Sequence, residues 1–219
     1  MKVIIFGATG PTGRELVTRA LEKGHDVTAF ARNPKGLGME EEEGFRIVTG
    51  DALQPKTVDR AMKGQQAVLC AIGPRAHTGT GETPSNVCSV ATRHIIEAME
   101  HTGTKRLVTL SSVGVGDSRG KRQAGMFFGL LQEAFIVPLF LKAQFKDKEL
   151  QEEYVRDSSV DWVIVRPTSL VDRPATGKFQ VAKNGETVPG RISRADVAAF
   201  MVDQLTSNEH LKQAPVIGG

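Results

Sequence analysis

Gly7, Gly10 and Gly13 recur at every third position of G-A-T-G-P-T-G, and Arg32 follows at the end of the next apolar run. Glycines at this spacing leave backbone N–H groups open to an anion. Gly7 turns the chain sharply, Gly10 lets a pyrophosphate approach the backbone, and Gly13 lets a helix pack closely on what precedes it. The phosphates would rest at the positive end of that helix, with Thr9, Pro11 and Thr12 completing the loop. Arg32, with Lys35 close behind, stands where an NAD-binding unit carries an acidic residue for the ribose hydroxyls. A guanidinium cannot accept from those hydroxyls, but it can clamp a 2′-phosphate with two hydrogen bonds. The cofactor these residues imply is therefore NADP. A ligand-free glycine turn and a solvated Arg32 are the bland alternatives. The strand before, the helix after, and the place of Arg32 at a strand end weigh against them.

The elements that must position these residues follow from apolar patterning. Val3 to Phe6 is an unbroken apolar run, as in a central parallel strand buried on both faces. Glu15 to Glu22 is amphipathic and reads as the first helix. Further strands are expected at Asp26 to Ala31, Phe45 to Thr49, Gln66 to Ile72, Lys105 to Leu110, Asp161 to Val165 and, shortest, Pro215 to Ile217. Helices are expected at Lys56 to Met62, Thr83 to His101, Lys146 to Asp157 and Ser193 to Leu205, the last with Ser193 and Asp196 placed as a capping box. Asn33 to Gly44 reads as a loop, and Thr176 to Pro189 as a loop or short hairpin. The alternation predicts an α/β fold, a doubly wound parallel sheet of Rossmann type with a small C-terminal substrate-covering part. One domain is expected over 1–219, with a lid-like insertion at about 114–147. Ligands of such sheets bind outside the carboxyl ends of the strands. Gly7, Arg32, Asp51, Gly73, Ser112 and Pro167 all stand at those ends and would line one crevice.

Composition narrows the partners. The 28 basic and 25 acidic residues are interspersed and leave a net charge of +3, so nothing demands nucleic acid. Cys70 and Cys88 have no metal-ligand spacing and fall in a strand and a helix, so neither a metal nor a disulfide is expected. His77, His94 and His101 have no visible partner and read as loop or helix-surface residues. The chain enters its first strand after a single lysine, unlike a signal peptide, so a cytoplasmic location is expected. The most apolar window, Met126 to Phe145, is broken by Gln132, Glu133, Pro138, Lys142 and Gln144. It reads as one or two core or lid helices, with a membrane-surface or subunit-contact role as the alternative, rather than a membrane span, and Phe127, Phe128, Phe135 and Phe140 are available to stack on a ring.

G-A-T-G-P-T-G, A-R-N-P, G-D-A-L, A-I-G, S-S-V and D-S-S-V-D-W-V-I-V-R-P together resemble the atypical short-chain dehydrogenase/reductases over nearly the whole chain. T-G-K-F-Q-V and G-R-I-S-R-A-D-V-A-A-F-M are similar to the branch of biliverdin-IXβ or flavin reductases and their NmrA-like relatives. The resemblance implies that Asp51 and Ala52 meet the adenine. It also implies that Ala71, Ile72, Gly73 and Arg75 line the ribose side, and that Pro167, Thr168 and Ser169 flank the nicotinamide amide. Ser112 matches the active-site serine, and Lys148 and Glu152 match a K-x-x-x-E pattern. Ser111 adjoins the cofactor at the same strand end, although both serines would also serve simply to end the strand.

The tyrosine–lysine pair of ordinary superfamily members, Tyr-x-x-x-Lys, is missing: the single tyrosine is Tyr154 and its partner position is Ser158. Carbonyl chemistry through a tyrosinate is disfavoured. Hydride transfer to a flavin, quinone or linear tetrapyrrole needs little acid–base help, because the acceptor is its own electron sink and water can supply protons. Ser112 would orient the reactants and Lys148 would donate a proton or stabilise negative charge, unless Lys148 is merely a solvated helix lysine. The expected activity is an NADPH-dependent reductase of an aromatic or conjugated small-molecule acceptor, the protein being a monomer or homodimer. The alternative is a non-catalytic NADP sensor or assembly protein of NmrA-like type. A nucleotide-sugar epimerase is disfavoured by the missing tyrosine.

Overall fold

A computed structural model of the chain describes residues 1–73, 86–118, 137–183, 186 and 188–219, without the side chains of 137–142. In chain order the strands are β1 (Lys2–Phe6), β2 (Asp26–Ala31), β3 (Phe45–Thr49), β4 (Ala67–Cys70), β5 (Arg106–Leu110), β6 (Asp161–Pro167), β7 (Ser169–Val171), β8 (Gln180–Ala182), β9 (Arg191–Ser193) and β10 (Val216–Gly218). The helices are α1 (Pro11–Glu22), α2 (Pro55–Met62), α3 (Val87–Thr102), α4 (Val137–Asp157) and α5 (Arg194–Asp203). An eight-stranded sheet runs β3-β2-β1-β4-β5-β6-β10-β8, parallel except where β8 meets β10. This is the doubly wound Rossmann arrangement expected, with its switch of strand order between β1 and β4.

Alternation within β1 divides the core. Val3 and Ile5 face one layer, where Leu16, Val17 and Ala20 of α1 meet Val197, Ala198 and Met201 of α5. Ile4 and Phe6 face the other, against Val58 and Met62 of α2, Ile95 and Met99 of α3, and Val155 of α4. Val3 to Phe6 of β1 are all fully buried. Each such aliphatic or aromatic group contributes about 1.5–3 kcal/mol, which makes this strand the rigid base from which the glycine turn springs.

Several boundaries differ from the expectation. Helix α1 begins at Pro11, not Glu15, because proline suits the first helical position, where no N–H partner is needed. The C-terminal part of the apolar window and the charged segment after it form one helix of 21 residues, α4, with Pro138 in its first turn. The region expected as loop or hairpin at Thr176 to Pro189 contributes β8, and Ser169–Val171 pairs in parallel with Arg191–Ser193 as a separate two-stranded sheet. A 3₁₀ turn, Pro34–Leu37, lies inside the loop expected after β2. Arg75, His77 and residues 126–136, which include Phe127, Phe128 and Phe135, lie outside the described residues, as does the Phe140 side chain. No helix among the described residues is long and apolar enough to cross a membrane.

Candidate active site

The carboxyl ends of β1 to β6 converge as the strand order requires. At β1, Gly7 adopts φ +80°, and a Cβ there would lie 2.7 Å from the Ala71 carbonyl oxygen just past β4. A Cβ on Gly13 would lie 2.0 Å from the Gly7 carbonyl oxygen. The turn is thus pressed between the next strand and the first turn of its own helix, and neither site has room for a side chain. Gly10 donates its N–H to the Gly7 carbonyl (3.0 Å) and serves as N-cap of α1. Among the described residues no side chain caps that end, and its first turn carries no acidic residue. It therefore presents uncompensated N–H groups and positive potential to the crevice.

Arg32 and Lys35 sit beside this turn. Thr9 reaches the loop after β2: a Cβ on Gly36 would be 3.6 Å from Thr9 Cβ. Both basic side chains are exposed, and neither has an ion-pair or hydrogen-bond partner among the described residues. Two unpaired cations beside an uncapped helix N-terminus fit a dinucleotide carrying a 2′-phosphate. Next along, Asp51 closes the turn after β3: its Oδ1 accepts from Leu53 N (3.0 Å) and its carbonyl from Thr57 Oγ1 (2.7 Å). The Ala52 carbonyl is 3.1 Å from His94 Nδ1. His94 is 9% exposed, so the surface reading of this histidine is corrected: it ties α3 to the loop beneath the expected adenine position. His101 is exposed, 3.7 Å from Asp59.

At the other half, Ser111 N donates to Val165 O (2.8 Å) and Val113 N to Pro167 O (3.2 Å). Ser112 is therefore held in an extended strip between two ladder bonds to β6. Its hydroxyl donates to the Val113 carbonyl at 3.2 Å. Ser111 instead turns its hydroxyl to Glu152 Oε1, 2.7 Å away. Thr168 is anchored by its N–H to Ile217 O (2.9 Å), while its hydroxyl is buried without a partner among the described residues. Such an orphan beside the expected carboxamide position suits a polar ligand group. Ser169 opens β7 opposite Arg191.

Lys148 is not a solvated helix lysine. Its ammonium donates to Leu110 O (2.8 Å), Ile72 O (3.1 Å) and Gln151 Oε1 (2.8 Å), joining the ends of β4 and β5 to α4. All three of its protons are engaged. Asp147 caps α3 from outside, accepting from Cys88 N (2.8 Å) and Ser89 N (2.9 Å). Gln151, fully buried, donates to Thr92 and Thr109 hydroxyls. Glu152 is 2% exposed and pairs with Arg166 of β6, which is fully buried. Burial alone would lower the Arg166 pKa, but the hydrogen bonds and charge of Glu152 and then Asp117 outweigh it and raise the value. The upward pull of partial burial on Asp117 is outweighed in the same way, and contact with Arg166 keeps it below the usual carboxylate range. Sequence reasoning does not single out Asp147, Gln151, Arg166 or Asp117. The available signal is an arginine ending an apolar strand buried on both faces, which must find a carboxylate. Tyr154 points elsewhere, packing against the core on the α3 side of the sheet.

The site thus combines an anion cradle, a pair of free cations, and a half lined by hydroxyls over a saturated polar network. Comparison with known proteins places the chain in a family. An uncharacterized chloroplastic protein of Arabidopsis thaliana is 30% identical over 95% of this chain and 73% of its own length. The divinyl chlorophyllide a 8-vinyl-reductase of Zea mays is 28% identical over 99% of this chain, which spans 54% of that enzyme. In structure, ChuY, an anaerobilin reductase of Escherichia coli O157:H7, superposes with a TM-score of 0.79 at 25% identity, covering 100% of this chain and 97% of its own. The family described as NAD(P)H-binding matches residues 7–208, from the first glycine of the cradle to beyond α5, and the chain belongs to it.

Proposed function

We propose that this protein is an NADPH-dependent reductase that passes hydride to a conjugated acceptor: a flavin, a quinone or a linear tetrapyrrole. The observation that carries the reading is the saturation of the candidate acid–base groups. Lys148 has three acceptors, Glu152 is locked to Arg166, and Tyr154 is turned to the α3 side of the sheet, half-buried against the core. Chemistry here must need no proton from these side chains, and a conjugated acceptor meets that condition. Among the relatives, the anaerobilin and divinyl chlorophyllide a reductases both act on tetrapyrroles by name, which supports this acceptor class.

Bound NADPH would supply the hydride. The chain's own part is binding, orientation and electrostatics. Gly7, Thr9, Gly10, Pro11, Thr12 and Gly13 hold the pyrophosphate, and Arg32 with Lys35 the 2′-phosphate. Asp51 and Ala52 would face the adenine, while Ala71, Ile72 and Gly73 would line the ribose. Pro167, Thr168 and Ser169 flank the carboxamide, with Ser111 and Ser112 along the opposite strip. Ser112 orients the acceptor. Lys148 acts through its fixed charge, stabilising negative charge that builds on the acceptor, rather than as a proton donor.

The same saturation favours one other reading, a cofactor-binding sensor or assembly protein without turnover. A screen of NADPH oxidation over FMN, riboflavin, a tetrapyrrole and several quinones separates the two. Turnover with one acceptor class is expected. Tight NADPH binding with no oxidation above the uncatalysed rate, across all of them, would overturn the reductase reading and leave the sensor.

A further inference from the structure

Arg166 is the largest fully buried side chain among the described residues, and its contacts all lie beneath the hydroxyl-lined half of the site. Nε and Nη2 donate to the two oxygens of Glu152 at 2.9 and 2.5 Å, and Nη1 to Asp117 Oδ1 at 2.5 Å. Glu152 Oε1 also receives the Ser111 hydroxyl. Gly116, with φ +57°, brings the turn after β5 directly onto the guanidinium; a Cβ there would be 2.6 Å from Nη2. That turn is closed on itself by Ser118, whose Oγ accepts from Gly114 N and donates to Val115 O. Four segments therefore meet at one planar group: the end of β5, the turn that follows it, α4, and β6 immediately before Pro167.

Stability is a poor explanation for this arrangement. A buried ion pair can often be replaced by apolar groups of equal volume without loss. What an apolar side chain cannot do is fix direction, whereas a guanidinium fork sets both the angle and the separation of the groups it joins. The groups joined here carry Ser111–Ser112 on one side and Pro167–Ser169 on the other.

We propose that Arg166, acting through Glu152 and Asp117, is a positioning residue that sets the spacing between these two strips and so the seat of the nicotinamide ring. Its consequence for turnover rests on the reductase reading; its consequence for the bound cofactor does not.

The test compares wild type with Arg166→Lys, which keeps the charge and loses the fork, and with Asp117→Asn, which alters the half-exposed end of the network, where Arg156 also lies 3.5 Å from the carboxylate, and serves as the second variant should the first not fold. NADPH is titrated by its nicotinamide fluorescence. The dissociation constant should stay within about twofold, as for sites that do not touch. Emission and anisotropy of the bound ring should shift toward those of free NADPH. Where wild type turns over, kcat should fall roughly ten- to a hundredfold, the scale of a slight misplacement, with the acceptor KM little changed. A lowered melting temperature with unaltered bound-state emission would make the network purely structural and overturn the proposal. If wild type oxidises NADPH with none of the acceptors, the reductase reading fails, and the emission comparison alone decides the role of Arg166.

Discussion

Arg32 should separate NADPH from NADH, and the size of the effect can be worked from its surroundings. The side chain is exposed and has no partner among the described residues, so binding breaks no existing contact. A charge-assisted hydrogen bond to a 2′-phosphate is worth about 1.5–3 kcal/mol, and exposure places this one toward the lower end. Arg32→Ala should therefore weaken NADPH roughly ten- to a hundredfold and leave NADH within about twofold. Lys35, in the 3₁₀ turn, is a flexible point charge, and Lys35→Ala alone should cost only a few fold. The preference should also shrink as ionic strength rises, since the Debye length falls from about 10 Å at 0.1 M salt to about 3 Å at 1 M. Titration calorimetry of both cofactors into wild type and Arg32→Ala at two salt concentrations measures all of this. Equal affinities of wild type for NADPH and NADH would refute the reasoning, as would an Arg32→Ala variant that keeps its preference.

Gly13→Ala should abolish cofactor binding and cost about 1–3 kcal/mol of stability, because its methyl would lie 2.0 Å from a backbone oxygen; thermal melts with and without NADPH read both effects. Tyr154→Phe should leave kcat within about twofold, and a hundredfold loss, the scale of a missing general acid, would place the acid where we do not. Cys88 is pushed up to about 11, chiefly by burial and further by Asp147, with Lys148 opposing. Because its folded value lies above the unfolded one, its contribution to stability is complete below the unfolded pKa and is lost as pH rises through about 11. Iodoacetamide at neutral to mildly alkaline pH should correspondingly alkylate native Cys88 roughly a hundredfold more slowly than the urea-unfolded chain; equal rates would show the thiol to be exposed.

The halves of the site differ in how far the sequence reveals them. The cradle is made of neighbours in sequence. An apolar run, glycines at fixed spacing and a basic residue after the next run are local signals, and β1, β2 and the crevice order lie where they point. Helix α1 starts four residues before its expected place: Gly13 lowers helix propensity and masks the first turn, although the proline at Pro11 marks the true first position. The two-stranded sheet of β7 and β9 escapes sequence reasoning because each strand is three residues long and its partner lies about twenty residues away, too short for any periodicity to register.

The polar network escapes for a different reason. Hydrophobic periodicity assumes that the buried face of a helix is apolar. On α4, Asp147, Lys148, Gln151 and Glu152 fall on one face at helical spacing and are buried or half-buried there. K-D-K-E therefore reads as a solvated stripe. Only its partners reveal otherwise, and they come from α3, β5, β6 and the end of β4, between 14 and 76 residues away. Phosphate recognition uses backbone N–H groups, which short-range glycine patterns expose. Orientation of a reacting ring uses side chains gathered from several strand ends, which no short window contains. A sequence of this kind therefore declares its cofactor class before its reaction. The residues proposed to orient the reaction are the ones whose polarity looks ordinary until the fold shows that water is not their partner.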